Sequence, residues 1–533
     1  MKCSDILYPP GSSRLNPTVA TSLFLILFST QITLTAPFSY LPAMVLSFGY
    51  SDRQRGFYAG IIASSLFVGR FFGGYFWGWL TDKIGRRPVL LLSSTLVLLA
   101  TLAFGFSTTF EVAVLTRFLQ GLFNGVIVCG RAAFAEICDE TNQAIGVSLV
   151  FAAWNSAIVF GPAVGGFLAE PVKKYPSTFK DSGFFARFPF VLPSLLVVGV
   201  LLMAIIMIFF TFKETKPPPS IATKEDSEKI PLLSHQKNTS PESTSPNEES
   251  RFYIEDQQIR VSYIIKQEED GCFKKLCSKI KKWSLYELIT DKTVMLVTMM
   301  FGMSGFCIIG FSELSSLWMA TNSKYGGLNF STDKIGTALL VPAIVSVIIQ
   351  PIVFGRFEKR FGGIKTLQLS LLILAIFTFF FPFIHYTIKS RKLLWSLLIT
   401  TGMVRMIADI SSRSALALFI NNSVYPEQAG RVNGFAFSVQ EIMRVASPTM
   451  FGALFSWAID SQQHQIIFPI DYRLPFLIIA IVIFGILVLT LLLPLSINAA
   501  KAVKDSPESL RPTEVGNIST ASASSSFMEH NRT

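Results

Sequence analysis

Apolar stretches of the roughly 20 residues that carry a helix across a bilayer core recur twelve times along the chain. They lie near 17–47, 55–80, 88–107, 111–132, 143–168, 188–212, 293–320, 335–355, 366–385, 394–420, 430–458 and 473–495. Hydrocarbon offers a backbone amide no partner, so each stretch must satisfy its own hydrogen bonds and is expected to be a helix. Only 15% of the 533 residues are charged and 49 are Phe, against about 25% charged in a soluble domain. The chain lacks the polar surface to cover itself in water, and a multi-pass membrane protein is the expected class.

The first apolar run is long and has no small-residue cleavage site, so it reads as a retained signal anchor rather than a cleaved peptide. The net charge of +11 does not call for nucleic acid. With twelve spans and a cytosolic N-terminus, the inner loops and flanks are richer in Lys and Arg than the outer loops, as the positive-inside rule requires. Lys173, Lys174, Lys389, Arg391 and Lys392 fall in outer loops and weaken that bias. The cysteines form no disulfide framework, and the Cys272/Cys277 pair has no second pair with which to hold zinc. No metal site and no cofactor are expected.

A polar segment separates six spans from six. It runs PPPS, ATKEDSEK, NTSPESTSPNEES, too poor in apolar residues to form a core. The expected organisation is a cytosolic N-terminus (1–16), a first six-helix bundle (17–213), a disordered cytosolic linker (214–291), a second bundle (292–497) and a disordered cytosolic tail (498–533). The linker ends with Phe273, Leu276, Cys277, Ile280 and Trp283 at helical spacing among Lys274, Lys275, Lys279, Lys281 and Lys282. That pattern suits a basic amphipathic helix on the anionic lipids of the inner leaflet, or else a solvated stretch. Within the linker, Glu228, Leu232 and Leu233 fit an acidic dileucine sorting pattern, which would bring a clathrin adaptor and an endosomal, lysosomal or vacuolar membrane; the plasma membrane is the alternative. Among the N-x-S/T sequons, Asn329 is the one expected to face the lumen or exterior.

The two halves repeat each other. The second loop reads GWLTDKIGRRPVL (78–90), and its counterpart in the second half reads GRFEKRFGGIKTL (355–367). Gly78 matches Gly355, Gly85 matches Gly362 and Lys83 matches Arg360, but Lys359 stands where Asp82 stands. The fifth and eleventh spans echo one another too, Pro162 with Pro448 and Gly166 with Gly452. Two similar six-helix halves about a central cavity are a recurrent transporter plan. The expected fold is therefore all-α, twelve transmembrane helices in two pseudo-symmetric six-helix bundles.

These motifs resemble the major facilitator superfamily, in its drug:proton antiporter branch. Gly78-x-Leu80-x-Asp82-Lys83-x-Gly85-Arg86-Arg87 is similar to the family's loop 2–3 motif at every defining position, and Arg117-x-x-Gln120-Gly121-x-x-x-Gly125 to its fourth-span motif. Gly161-Pro162-x-x-Gly165-Gly166 resembles the antiporter motif of the fifth span, with Ala157 where a glycine is expected. EICDETNQAIG, GFLAEPVKKYP and the Phe311–Trp318 stretch look most like zinc-induced-facilitator-like and tetracycline-resistance-like carriers, although the cysteine-rich CPGC motif of the plant proteins is absent. The resemblance covers roughly 17–213 and 292–495 and implies the major facilitator fold.

Each motif also has a physical reading. Gly78 and Gly85 allow close helix approach and a tight turn. Arg86 and Arg87 lie at headgroup level and either orient the chain or take part in a gate. Asp82 sits at the depth where the eleventh span enters the membrane, near 428–431, and could latch on that positive helix end; the resemblance implies such a cytosolic gate. Gly161, Pro162, Gly165 and Gly166 remove bulk and a backbone donor, giving a bend or close packing; in the antiporter branch this region is held to limit leak. Ionisable groups at membrane depth usually face a cavity or a partner. Glu313 and Asp409 are the candidate proton sites, a partly desolvated carboxylate being able to exchange protons as the cavity switches exposure. The resemblance links Arg117 to proton movement. Arg405, Glu441 and Arg444 complete an intramembrane charge network, for which mutual pairing across the tenth and eleventh spans is the simpler reading.

No G-x-x-x-x-G-K-[ST] loop appears, which disfavours ATP-driven transport, and no HExxH or GxSxG supports an enzyme. The expected function is a secondary active transporter moving a small organic solute, with H+ as the coupled partner in antiport. The alternatives are a symporter or uniporter, or a receptor that kept the fold without turnover.

Overall fold

The structure is a computed structural model and describes residues 13–139, 142–181, 183–214, 290–425, 428–461 and 470–499. The dileucine pattern, the basic 273–283 stretch and the Cys272/Cys277 pair, together with most of the N-terminus, linker and tail, lie outside the described residues.

Among the described residues twelve helices carry the apolar stretches. The first half holds α1 (Pro17–Thr35), α2 (Arg55–Ile84), α3 (Arg86–Gly105), α4 (Phe110–Leu122, continued by Val126–Ile137), α5 (Gln143–Leu168) and α6 (Val191–Thr211). The second holds α7 (Lys292–Ala320), α8 (Thr332–Phe361), α9 (Gly363–Phe380), α10 (Arg391–Asn422), α11 (Ala429–Ser461) and α12 (Leu474–Leu489). Among the described residues eleven spans meet the length and hydropathy of a membrane crossing; α5 contributes a shorter apolar segment, Ala152–Leu168.

Local chemistry sets the ends. Asn16 accepts from the Thr18 amide, with Pro17 opening α1. The Asp291 carboxylate accepts from Thr293 and Val294 at the start of α7. Gly85, at φ 100°, turns the chain between α2 and α3, and Gly362, at φ 82°, does the same between α8 and α9; side chains bearing a Cβ rarely adopt that backbone. The interruption of α4 has a neighbour as its cause. The Trp77 indole donates to the Leu122 carbonyl at 2.7 Å, and its ring passes where a Cβ on Gly125 would lie 2.6 Å away.

Within the first half α1 packs on α5 and α6, α2 on α4, and α3 on α6; within the second, α7 packs on α11 and α12, α9 on α10 and α12, and α8 on α10. One large apolar core is drawn wholly from residues 294–497, and a second from residues 23–212. Contact between the halves runs through α2 against α11 and α5 against α8. Most of the remaining apolar surface faces outward, including Phe72, Tyr75, Phe210 and Leu491, as a lipid-facing surface requires.

Candidate functional site

The helices place the functional side chains in layers between two ends: the loop end, which carries residues 78–90, and the far end, where α1 meets α2 and α7 meets α8.

At the far end the halves touch backbone to backbone. A Cβ on Gly56 would lie 2.6 Å from the Gly452 carbonyl, and one on Gly60 would lie 2.5 Å from the Pro448 carbonyl. Thr449 binds Ser64 through its amide (3.1 Å) and hydroxyl (2.8 Å), the Phe57 amide donates to Ser456 at 3.0 Å, and Arg53 pairs with Asp460 at 3.2 Å. At the second contact between the halves, a Cβ on Gly166 would lie 2.6 Å from Gly336 Cα. Gly161 and Gly165 of the same motif pack instead on α1, against Thr35 and Ala36, while Pro162 lies inside α5. The Thr35 hydroxyl donates to the Ala157 carbonyl at 2.7 Å. Lys174, just past α5, donates to the Gly166 carbonyl. Burial pushes its ammonium down to about 8, against the opposing pull of Asp333 on α8 and of Glu170.

The loop end is different. A Cβ on Gly74, Gly355, Gly430 or Gly434 would meet nothing within 4 Å, and one on Gly78 only Val128 at 4.0 Å. Close approach at Gly78, expected from the sequence, therefore does not occur: no backbone atom lies within 4 Å of where its Cβ would stand. The far ends are closed together while these loop-end glycines stand in open space.

The 78–90 loop is tied within its own half. Arg86 donates to the Thr81 carbonyl (2.7 Å), Asp82 (3.0 Å) and Glu136 (2.8 Å). Arg87 donates to the Phe209 carbonyl at 2.6 Å. Glu214, which the sequence reading assigned to the linker, caps α3 by accepting from the Arg86 amide (2.8 Å) and the Arg87 amide (3.0 Å). Asp82 is 75% exposed beside Arg86.

At mid-depth, Leu34, Phe38, Leu66, Phe67 and Ile309 form an apolar layer drawn from both halves, with Trp154 and Val445 against it. On its far side stand Arg117 of α4 and Glu313 of α7, 0% and 1% exposed. Arg117 donates to the Thr33 carbonyl and to Gln120 of its own motif, both at 2.8 Å, and its guanidinium lies 5.2 Å from the Phe104 ring centre. Neither Glu313 carboxylate oxygen has a hydrogen-bond partner, and Arg117, from the other half, is the charge that acts on it.

On the loop side of that layer lie Arg70 of α2, Arg131 of α4, and Glu441 and Arg444 of α11. Sequence reasoning missed Arg70 and Arg131, although a charge inside an apolar run (SLFVGRFFGG, VIVCGRAAF) was the signal. Pairing across α10 and α11 is one of two readings of the α10 and α11 charges, and among the described residues the ion pairs form within each helix instead. Arg444 holds Glu441 at 2.6 Å and Arg413 holds Asp409 at 3.0 Å, because residues three or four apart share a helix face. Arg405 lies over the Phe311 ring, 3.1 Å from its centre, and donates to Thr378 at 3.3 Å. Asp409 is thus an ion-paired carboxylate and Glu313 is not. Asn329 lies exposed in the α7–α8 loop at the far end. Among the described residues no group of His, Cys, Asp and Glu could hold a metal ion.

Comparison with known proteins bears on this arrangement. The family model of the Major Facilitator Superfamily matches residues 23–448. The chain is 28% identical over 475 residues to a probable peptide/nitrate transporter of Arabidopsis thaliana, covering 88% of this chain and 90% of the relative. It is 26% identical to the Arabidopsis protein Zinc Induced Facilitator 1 (87% and 89% covered), and 27% identical to the multidrug transporter mfsB of Aspergillus fumigatus (80% and 76%). Among solved structures it resembles a D-xylose–proton symporter, with a TM-score of 0.60 at 12% identity over 91% of this chain and 99% of that one. It also resembles a bacterial homologue of the human lysosomal transporter Spinster in an inward-facing, unoccupied conformation, with a TM-score of 0.59 at 13% identity over 90% and 97%.

Proposed function

The chain belongs to the Major Facilitator Superfamily and is a multi-pass secondary transporter rather than an enzyme, and we propose that it exchanges a small organic solute for protons by alternating access. The observation that carries the proton assignment is Glu313. It is a carboxylate without a hydrogen-bond partner, set against Arg117 of the opposite half.

Taking the loop end as cytosolic, as the basic loops suggest, the structure is the inward-open state. Rocking the halves would part the α2–α11 and α5–α8 glycine contacts and expose Glu313 to the far side, where it takes a proton. Return to the present state would release that proton towards the cytosol, while solute bound in the central cavity travels the other way. Asp82 has its role in the opposite state. When the loop ends meet, its carboxylate reaches the N-terminal end of α11 and latches that side. Gly166 would limit leak because it lets α5 seat on α8.

Uptake into proteoliposomes across a panel of organic solutes, with a pH gradient imposed, tests the proposal. Antiport predicts faster solute accumulation in the compartment that is losing protons. Flux indifferent to the gradient contradicts proton coupling and leaves a uniporter, and flux that accelerates along the proton's own direction makes it a symporter. A chain that binds solute without turnover would be a receptor.

A further inference from the structure

Arg70, Arg131 and Arg444 converge between the two halves, with Glu441 as their shared carboxylate. Arg70 interacts electrostatically with Glu441, Arg444, Arg131 and Arg117, and Arg131 with Glu441 and Arg444. The three come from α2 and α4 of one half and α11 of the other, so the cluster spans the interface that moves. Arg70 is 7% and Arg444 5% exposed. Nε and Nη1 of Arg70 and Nε of Arg444 are buried without a hydrogen-bond partner. The contact that Arg70 does make, to Gln31 Oε1, is long at 3.5 Å. Each guanidinium has an aromatic ring at hand: Phe67 5.9 Å from Arg70, Phe437 4.0 Å from Arg131 and Trp154 5.5 Å from Arg444.

Three guanidinium groups face one carboxylate, so two positive charges stand uncompensated at membrane depth among the described residues. An ionised group there costs several kcal/mol unless something pairs it, and buried donors without acceptors add to that cost. The other charges at this depth do not supply the balance. Asp409 is engaged by Arg413, and Glu313 lies across the apolar layer with Arg117. Guanidinium groups present planar forks of donors that match carboxylate and phosphate oxygens.

We propose that this cluster is the solute site and that the transported solute is an organic anion with an aromatic or other flat apolar body. Its carboxylate or phosphate is gripped by Arg70, Arg131 and Arg444, and its body lies against Trp154 and Phe437. This rests on the transporter reading above but assigns the substrate's charge, which that reading leaves open. Glu441 occupies Arg444 when the site is empty and competes with the anion for it. Because the arginines belong to different halves, a bound anion draws α2, α4 and α11 together, the movement that closes the loop end.

The test is equilibrium binding to the detergent-solubilised full chain, read by quenching of the fluorescence that is lost in Trp154→Phe. The probes are benzoate and phenyl phosphate, with benzamide and benzylamine as neutral and cationic matches of the same shape. Saturable binding of the two anions alone is expected. Arg70→Gln and Arg131→Gln should each weaken it about tenfold or more, the loss of a charge-assisted hydrogen bond. Glu441→Gln should tighten it severalfold, a gain that damage to the fold would not produce. The proposal is overturned if benzamide or benzylamine binds as well as benzoate, if neither anion binds, or if Glu441→Gln weakens anion binding. Anion binding without flux in proteoliposomes would leave the site standing and remove the transporter reading. Gradient-driven flux of benzylamine but not benzoate would do the reverse.

Discussion

Replacing Gly60 by alanine should move the carrier out of the conformation described above. The new methyl would sit 2.5 Å from the Pro448 carbonyl and 2.9 Å from Thr449 Cα. Both are backbone atoms that cannot rotate away, so α2 and α11 must separate at the far end. Overpacking of this kind costs about 1–3 kcal/mol. The clash exists only while the far ends touch, so the whole penalty falls on the far-closed state. At about 1.4 kcal/mol per factor of ten, the ratio of far-open to far-closed carrier should rise roughly 5- to 150-fold. Spin labels on cysteines at Ser177 and Asn329, exposed in the α5–α6 and α7–α8 loops, report it in a background lacking the native cysteines. The variant should show a longer inter-label distance at the expense of the shorter one. A distance distribution identical to that of the parent would refute the claim that Gly60 marks a gate that opens.

Other substitutions separate the parts of the account. Lys174 loses its proton more easily in the far-closed state, where burial holds it at about 8, than when solvated near about 10.4. The closed state therefore gains relative to the open one as pH rises from about 8 towards that ordinary value. The same labels should show more of the short distance at high pH, and Lys174→Met should abolish the trend; a trend unchanged in Lys174→Met removes Lys174 as its cause. Glu313→Gln should eliminate acceleration of flux by a pH gradient yet keep solute–solute exchange, and retained acceleration would disprove its proton role. Asp82→Asn should slow net transport with folding and targeting intact, and unchanged flux would refute the latch. Glu214→Ala removes the carboxylate that caps α3 and should destabilise the protein by about 0.5–2 kcal/mol, seen as a lower melting temperature in detergent. An unaltered melting curve would show that the cap is not structural.

The apolar lengths, the interruption by a polar linker and the repeat between halves made twelve helices and the family readable, because hydrocarbon allows few solutions to the backbone hydrogen-bond problem. Gly85 and the α5 motif were legible for the same local reasons: a turn needing positive φ, and close packing needing no side chain. The partners were not. Nothing in GWLTDKIGRRPVL indicates that Arg86 binds Glu136 fifty positions away, or that Glu214, at the edge of the linker, caps the same helix. Arg70 and Arg131 escaped because each lies alone in its own apolar run, and their meaning lies in where α2, α4 and α11 converge. Between the two readings of the α10 and α11 charges, helical geometry decided, since a carboxylate one turn away on the same face lies within ion-pair reach.

The central claim is that the glycine contacts at the far end and the 78–90 loop at the other are alternating gates. The most direct measurement follows both ends in the same lipid-reconstituted preparation. One label pair sits at Ser177 and Asn329, and a second at Ala135 and Lys359, exposed near the loop-end termini of α4 and α8. Across added solute and imposed pH, the account predicts that one distance lengthens as the other shortens, with the same population ratio at both ends. Two distances that vary independently, or a loop-end distance that stays fixed while the far end opens, would contradict it.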